Sequence, residues 1–149
     1  MHHRDYHYRY QHNDEDDRLI DDIAKAINGE YNAIVFYDQL ADMAHSKEEK
    51  KQIREIRQDE LHHYRVFSRI YQELTGRHFT PKITEHFPNR YKPGLEFAIR
   101  DEQETVDFYL DIAEQAKQPY IKRQFQRAAA DEQNHAVWFL YFYTKLCCD

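Results

Sequence analysis

Residues 59–67 read DELHHYRVF and residues 131–139 read DEQNHAVWF. Each stretch carries Asp-Glu, a His three residues after the Glu, and a Phe four residues beyond the His. Asp59, Glu60, His63 and Phe67 thus correspond to Asp131, Glu132, His135 and Phe139, at an offset of 72 residues. An i, i+3 spacing puts Glu60 and His63 on one face of a helix, and Glu132 and His135 likewise. The same offset relates two upstream stretches: Ala26, Ile27, Glu30, Phe36, Tyr37, Ala41 and Ala44 match Ala98, Ile99, Glu102, Phe108, Tyr109, Ala113 and Ala116. The chain is therefore an internal duplication. Each half holds one lone Glu and, 30 residues on, a Glu-x-x-His pair.

Apolar residues recur at a 3-4 spacing through four segments, which predicts four helices. The first spans about residues 16–44. The second spans 46–75, opened by the capping-box spacing of Ser46 and Glu49 and closed by Gly76. A third starts around Pro93 and ends near residue 116, and a fourth runs from Pro119 almost to the C-terminus. The stripes are Ile20, Ile23, Ile27, Glu30, Ile34, Tyr37, Ala41, Ala44; Ile53, Ile56, Glu60, His63, Phe67, Ile70, Leu74; Leu95, Ile99, Glu102, Val106, Tyr109, Ala113, Ala116; and Ile121, Phe125, Ala128, Glu132, His135, Phe139, Phe142, Leu146. All members are apolar, Ala or Tyr except six, and those six are Glu or His. Short, long, short connections describe an all-α four-helix bundle with one long crossover, residues 76–92, between helices two and three.

Composition agrees. A chain of 149 residues makes one domain of ordinary size. With only Gly 3 and Pro 4, it lacks the turn residues that many short strands need. The longest apolar or aromatic run, residues 136–143, is far shorter than a membrane span. The N-terminus has no apolar core of a secretory signal, so a cytoplasmic location is expected. A net charge of −6 argues against a nucleic-acid partner. Cys147 and Cys148 form neither a disulfide framework nor a CxxC pair. Residues 1–18, with His2, His3, His7 and His12, read as a flexible solvated tail, leaving 19–149 as the bundle domain.

Glu30, Glu60, His63, Glu102, Glu132 and His135 all lie on core stripes, so packing the bundle draws them together. Four carboxylates in a low-dielectric interior cannot all stay ionised without compensating charge. Two divalent cations would supply it. Mixed carboxylate and imidazole donors suit iron or manganese, with zinc able to compete. Tyr37 and Tyr109 lie on the same seams and can hydrogen-bond a ligating carboxylate; Asp59 and Asp131 can accept the second ring N–H of a ligating His. His62 faces away from the seam, and Trp138 and residues 141–143 are expected to pack against helices or a partner subunit.

GEYNAIVFYDQLA, RQDELHHYRVF, RDEQETVDFYLDIA and AADEQNHAVWF, within about residues 19–147, make the sequence similar to the ferritin-like superfamily. Within it the chain resembles the small rubrerythrin-like and bacterioferritin-like proteins. That resemblance implies that Glu60 and Glu132 bridge two metals, that Glu30 and Glu102 are terminal ligands, and that His63 and His135 hold one metal each. The chain departs from rubrerythrins proper, which carry a rubredoxin domain with CxxC pairs and an extra Glu where Thr105 stands here; Asp101 and Glu104 are the nearby carboxylates. The short fifth helix of storage-cage ferritins is not expected within these residues.

The implied function is a dinuclear non-haem iron (or manganese) oxidoreductase reacting with hydrogen peroxide or O₂, peroxidase- or ferroxidase-like, fed by an external electron donor and assembled as a homodimer or larger homo-oligomer. Two other readings are iron binding or storage, and a structural or interaction module with a stabilising metal site.

Overall fold

The computed structural model describes residues 3–147, with side chains described from Asp16 to Leu146. Four helices follow one another: α1 (His3–Met43), α2 (Lys47–Thr75), α3 (Tyr91–Gln115) and α4 (Pro119–Cys147). The described residues contain no strand. Two hairpins, α1–α2 and α3–α4, pack along their lengths, and α1 meets α3 while α2 meets α4 across the bundle. The residues between α2 and α3 form the crossover. This is the all-α, ferritin-like four-helix architecture that the duplicated seam predicts.

The helix ends follow from local chemistry. Ser46, in an extended conformation, accepts a hydrogen bond from the Glu49 backbone N–H at 3.1 Å, and its hydroxyl donates to the Glu49 carboxylate at 2.8 Å. Buried Glu49 also accepts from the Tyr91 hydroxyl at 2.9 Å, which ties the first turn of α2 to the first turn of α3. Gly76 closes α2 at φ 71°, a left-handed conformation that a side chain would strain. Pro119 opens α4 as expected.

Two boundaries differ from the sequence reading. Helix α3 begins at Tyr91, not Pro93. A proline in the first turn lacks only an N–H that would have no intrahelical partner, so it does not have to be the first residue. Helix α1 begins at His3, running back through residues that the sequence reads as a solvated tail. No Gly or Pro occurs before Gly29, so nothing in the covalent chain stops the helical ladder there. The side chains of His3, His7 and His12, and residues His2 and Cys148, lie outside the described residues.

Apolar residues gather in two clusters. One holds Ile23, Ile27, Phe67, Ile70, Ile112 and Phe125, together with Tyr109; the other holds Phe36, Leu40, Ile53, Ile56, Leu95 and Phe139, together with Tyr37. Phe67 and Phe125 stack with ring centroids 4.2 Å apart in the first. Six buried charged or titratable residues sit between these two plugs. The stripe is not uniformly buried: Ile20, Leu74 and Leu146 near helix ends, and Ile99 and Val106 on either side of Glu102, are half-buried, whereas Leu19, Ala98 and Ile112 are buried. A strict 3.5-residue repeat loses phase against a 3.6-residue helix, so some of its members turn off the seam while residues beside them turn onto it.

Candidate metal centre

Each helix delivers its polar seam residues to the same level of the bundle. Glu30 comes from α1, Glu60 and His63 from α2, Glu102 from α3, and Glu132 and His135 from α4. None is more than 3% exposed. They form two groups whose donor atoms lie within 4.8 Å of one another: Glu30, Glu60, His63 and Glu132, then Glu60, Glu102, Glu132 and His135. Glu60 and Glu132 belong to both groups, while each of the other four belongs to one.

The imidazoles are aimed by carboxylates behind them. His63 Nε2 lies 2.8 Å from Asp131 Oδ2, and His135 Nε2 lies 2.8 Å from Asp59 Oδ2. A carboxylate at Nε2 holds a proton there and turns the Nδ1 lone pair inward. His63 Nδ1 accordingly stands 3.1 Å from Glu132, 3.4 Å from Glu60 and 3.5 Å from Glu30. His135 Nδ1 stands 3.3 Å from Glu60 and 3.6 Å from Glu102. The Tyr37 hydroxyl donates to Glu102 and the Tyr109 hydroxyl to Glu30.

Every one of these supports crosses between hairpins. Tyr37 lies two turns along α1 from Glu30, about 10 Å by helical rise, too far for its hydroxyl to serve that carboxylate. It reaches α3 instead. Asp59 and Asp131 sit about 100° round their helices from Glu60 and Glu132 and meet the histidine of the opposite helix.

Six atoms are buried without a hydrogen-bond partner among the described residues: Glu30 Oε2, Glu60 Oε1, His63 Nδ1, Glu102 Oε2, Glu132 Oε1 and His135 Nδ1. Each of the six seam residues supplies one. A single such atom costs about 1–3 kcal/mol. Six converging on one volume fit a centre in which cations accept all of them, and four carboxylates with two imidazoles match hard to borderline divalent ions.

With protons as the only compensating charge, the cluster is electrostatically loaded. Burial, then the Glu60 charge, pushes Glu30 up to about 8. Burial and the neighbouring Glu102 and Glu60 charges raise Glu132 well above the carboxylate range. Burial opposes charge on His63, but Glu30 and the bond to Asp131 overcome it and push the imidazole up to about 12. His135 is likewise pushed up to about 12, against burial, by its bonds to Asp59, Glu102 and Glu60. Burial would raise Glu60 too, yet the two imidazoles hold it low. Metal binding must therefore displace protons from this cluster.

The remaining sequence candidates separate clearly. His62 and Glu104 are exposed, Trp138 is half-buried against the second apolar cluster, and Thr105 donates to the Asp101 backbone carbonyl at 2.7 Å. Asp101 is pushed up to about 7 by burial and then by Glu85 of the crossover. Sequence reasoning missed a clamp on that crossover. Asn28 Oδ1 accepts from the Lys82 N–H at 2.9 Å, Asn32 Oδ1 accepts from the Thr84 N–H at 2.9 Å, and Asn32 Nδ2 donates to the Lys82 carbonyl at 2.9 Å. Two Asn at i, i+4 beside Glu30 were its only trace in the sequence.

A Glu from each of two helices and a Glu-x-x-His from each of the other two is the arrangement of ferritin-like carboxylate proteins with paired metals. The chain belongs to the rubrerythrin family, whose pattern matches residues 6–93 and 94–148. It is similar to the uncharacterized protein YhjR of Bacillus subtilis (strain 168), 56% identical over 128 residues, which cover 86% of this chain and 88% of that protein. Its fold is that of a ferritin-like, diiron-carboxylate protein from Bacillus anthracis str. Ames, with TM-score 0.79 at 23% identity over 87% of this chain and 97% of the other. A hypothetical protein from Pyrococcus furiosus gives TM-score 0.77 at 21% identity, over 87% and 90%.

Proposed function

We propose that this protein holds two iron ions at the six seam residues and works as an oxidoreductase toward hydrogen peroxide or O₂. The observation that carries the reading is the set of six unpartnered donor atoms, one on each residue, divided into two groups that share Glu60 and Glu132. Two ferrous ions bound there would supply two electrons together, the number that reduces one peroxide to water.

The chain's own residues do the rest. Glu60 and Glu132, which belong to both donor groups, would hold both ions, with Glu30 and His63 holding one and Glu102 and His135 the other. Asp131 and Asp59 hold the Nε2 protons and keep each Nδ1 turned inward. Tyr109 and Tyr37 fix one oxygen of Glu30 and Glu102, leaving the other free for a cation. The apolar clusters on either side exclude bulk water. Six donor residues shared between two ions would leave room for a small oxidant to bind. Among the described residues, no helix is long and apolar enough to cross a membrane. An exposed face of α4 bearing Val137, Leu140 and Tyr141 supports a homo-oligomer.

The test is elemental analysis of protein purified without chelators, followed by stopped-flow absorbance of the ferrous protein mixed with each oxidant. Two irons per chain and rapid oxidation are expected, slowed in His63→Ala and His135→Ala. An iron-loaded protein inert to both oxidants would leave the metal a structural role.

A further inference from the structure

Two cavities among the described residues border the buried cluster on different sides, and they differ in what they present. Between α2 and α4 an opening is lined by Asp59, His62, His63, Gln124, Arg127 and Asp131. None of the four cluster glutamates lines it. The imidazole and the Asp carboxylates stand in the way, and Arg127 adds positive charge at the rim.

The opening between α1 and α3 is of another kind. A cavity of about 50 Å³ there is lined by Glu30, Glu60 and Glu132 at its inner end and by Lys25, Gly29, Glu85, Asp101 and Thr105 further out. Glu30 is 1% exposed, and its Oε2, like Oε1 of Glu60 and Glu132, has no hydrogen-bond partner among the described residues. Outside it, a groove between α1 and the crossover shares Lys25, Gly29 and Glu85 with the cavity. The groove has a fixed wall, because Asn28 and Asn32 hold Lys82 and Thr84 by backbone and side-chain bonds. That clamp sets where Glu85, the next residue, stands.

We infer that Glu85 and Asp101 form a capture site through which divalent metal ions pass from the groove to the cluster. The inference rests on the proposed metal-binding role of the cluster. A cavity of about 50 Å³ has room for only a few water molecules, since one needs about 10–15 Å³. A fully hydrated ion must therefore shed part of its shell on the way in. Carboxylates at the mouth replace those waters as they leave, and further oxygen donors follow inward, from Glu85 and Asp101 to the unpartnered oxygens of Glu30, Glu60 and Glu132. Lys25 opposes this attraction at the mouth and sets its strength. The passage is one-sided: the duplication places Gly29 opposite Asp101 and Ala33 opposite Thr105, so α1 contributes space where α3 contributes a carboxylate and a hydroxyl.

The experiment is stopped-flow uptake of Co(II) by metal-free full-length protein, read by the absorption of bound Co(II), with metal per chain measured after equilibration. The Glu85→Gln/Asp101→Asn double variant is expected to fill about tenfold more slowly than wild type, while reaching the same final stoichiometry. Lys25→Glu is expected to fill faster. Gly29→Val is expected to slow filling by narrowing the mouth, since a Cβ at Gly29 meets nothing within 4 Å and strains nothing. Filling of the double variant at the wild-type rate overturns the inference, as does slowing by Lys25→Glu, or slowing by His62→Ala on the α2–α4 side with none in the double variant. Failure of wild type itself to reach two Co(II) per chain would instead count against the proposed function.

Discussion

Asp131, on the second hairpin, is 19% exposed and receives Arg127 Nε at 3.0 Å, while its counterpart on the first hairpin, Asp59, is 52% exposed. At the position 72 residues before Arg127 stands Glu55, an acid one turn from Asp59. The six donors of the centre are thus duplicated faithfully, but the residues that steady them are not. His63 leans on an aspartate fixed by a cation and partly shielded from water. His135 leans on one that faces solvent and a like charge. With the six residues holding cations as proposed, donor identity is set by what a cation needs, so both halves keep it; the supports only tune rigidity, and there the halves have diverged.

The largest test asks where the halves remain equal. Glu60→Ala and Glu132→Ala are each expected to lose both metals, whereas Glu30→Ala or Glu102→Ala loses one, by elemental analysis of chains equilibrated with Fe(II) or Mn(II). Loss of only one metal in both the Glu60 and the Glu132 variant would make the halves independent sites.

Metal removal comes next. The folded values of His63 and His135 lie far above the unfolded 6.5, so their contribution is complete below that pH and is lost as pH climbs toward about 12. Glu30 rises from 4.5 to about 8 on folding, so between those values the unfolded chain sheds its proton first and stability falls. Both act in one direction: metal-free protein is expected to lose thermal stability steadily from about pH 5 to pH 8. The depressed Glu60 adds nothing to that slope, since its contribution is already complete above its unfolded value. Metal-loaded protein should melt higher and show a flatter profile. Coincident melting curves of the two forms would mean that the cluster is not under charge stress.

Asp131→Ala and Asp59→Ala probe the divergence directly. Loss of a carboxylate behind a ligating imidazole costs about 10–100-fold in metal affinity. The larger loss is expected for Asp131, measured by competition with a chelator, and equal losses would erase the proposed inequality. The smallest effect belongs to Arg127→Ala, no more than about fivefold on the same assay, because an exposed ion pair is worth at most about 1 kcal/mol. Glu55→Ala should leave affinity unchanged or slightly raised.

Much of this centre is legible in the sequence. The seam positions of Glu30, Glu60, His63, Glu102, Glu132 and His135 break an otherwise apolar stripe at a repeated offset, and helical geometry converts that into convergence. Which carboxylate Tyr37 or Tyr109 serves was not legible, because spacing along one helix describes neighbours on that helix and says nothing of the next. The Asn28–Asn32 clamp was hidden for a similar reason: its partners are backbone groups of a segment without periodicity. Asp101 lay in plain view, but only the gap left by Gly29 and Ala33 across from it shows what it faces.

The crossed hydrogen bonds bear on how the two halves depend on one another. Tyr37 and Asp59 complete Glu102 and His135, and Tyr109 and Asp131 complete Glu30 and His63. Neither hairpin satisfies its own buried groups, so each is the other's necessary ligand. The crossover is then a tether: it holds the two pieces at an effective concentration of roughly millimolar, as short flexible linkers do. Cut there, the halves would become a bimolecular pair whose assembly varies with dilution. Joined, the centre forms at a cost that dilution cannot change.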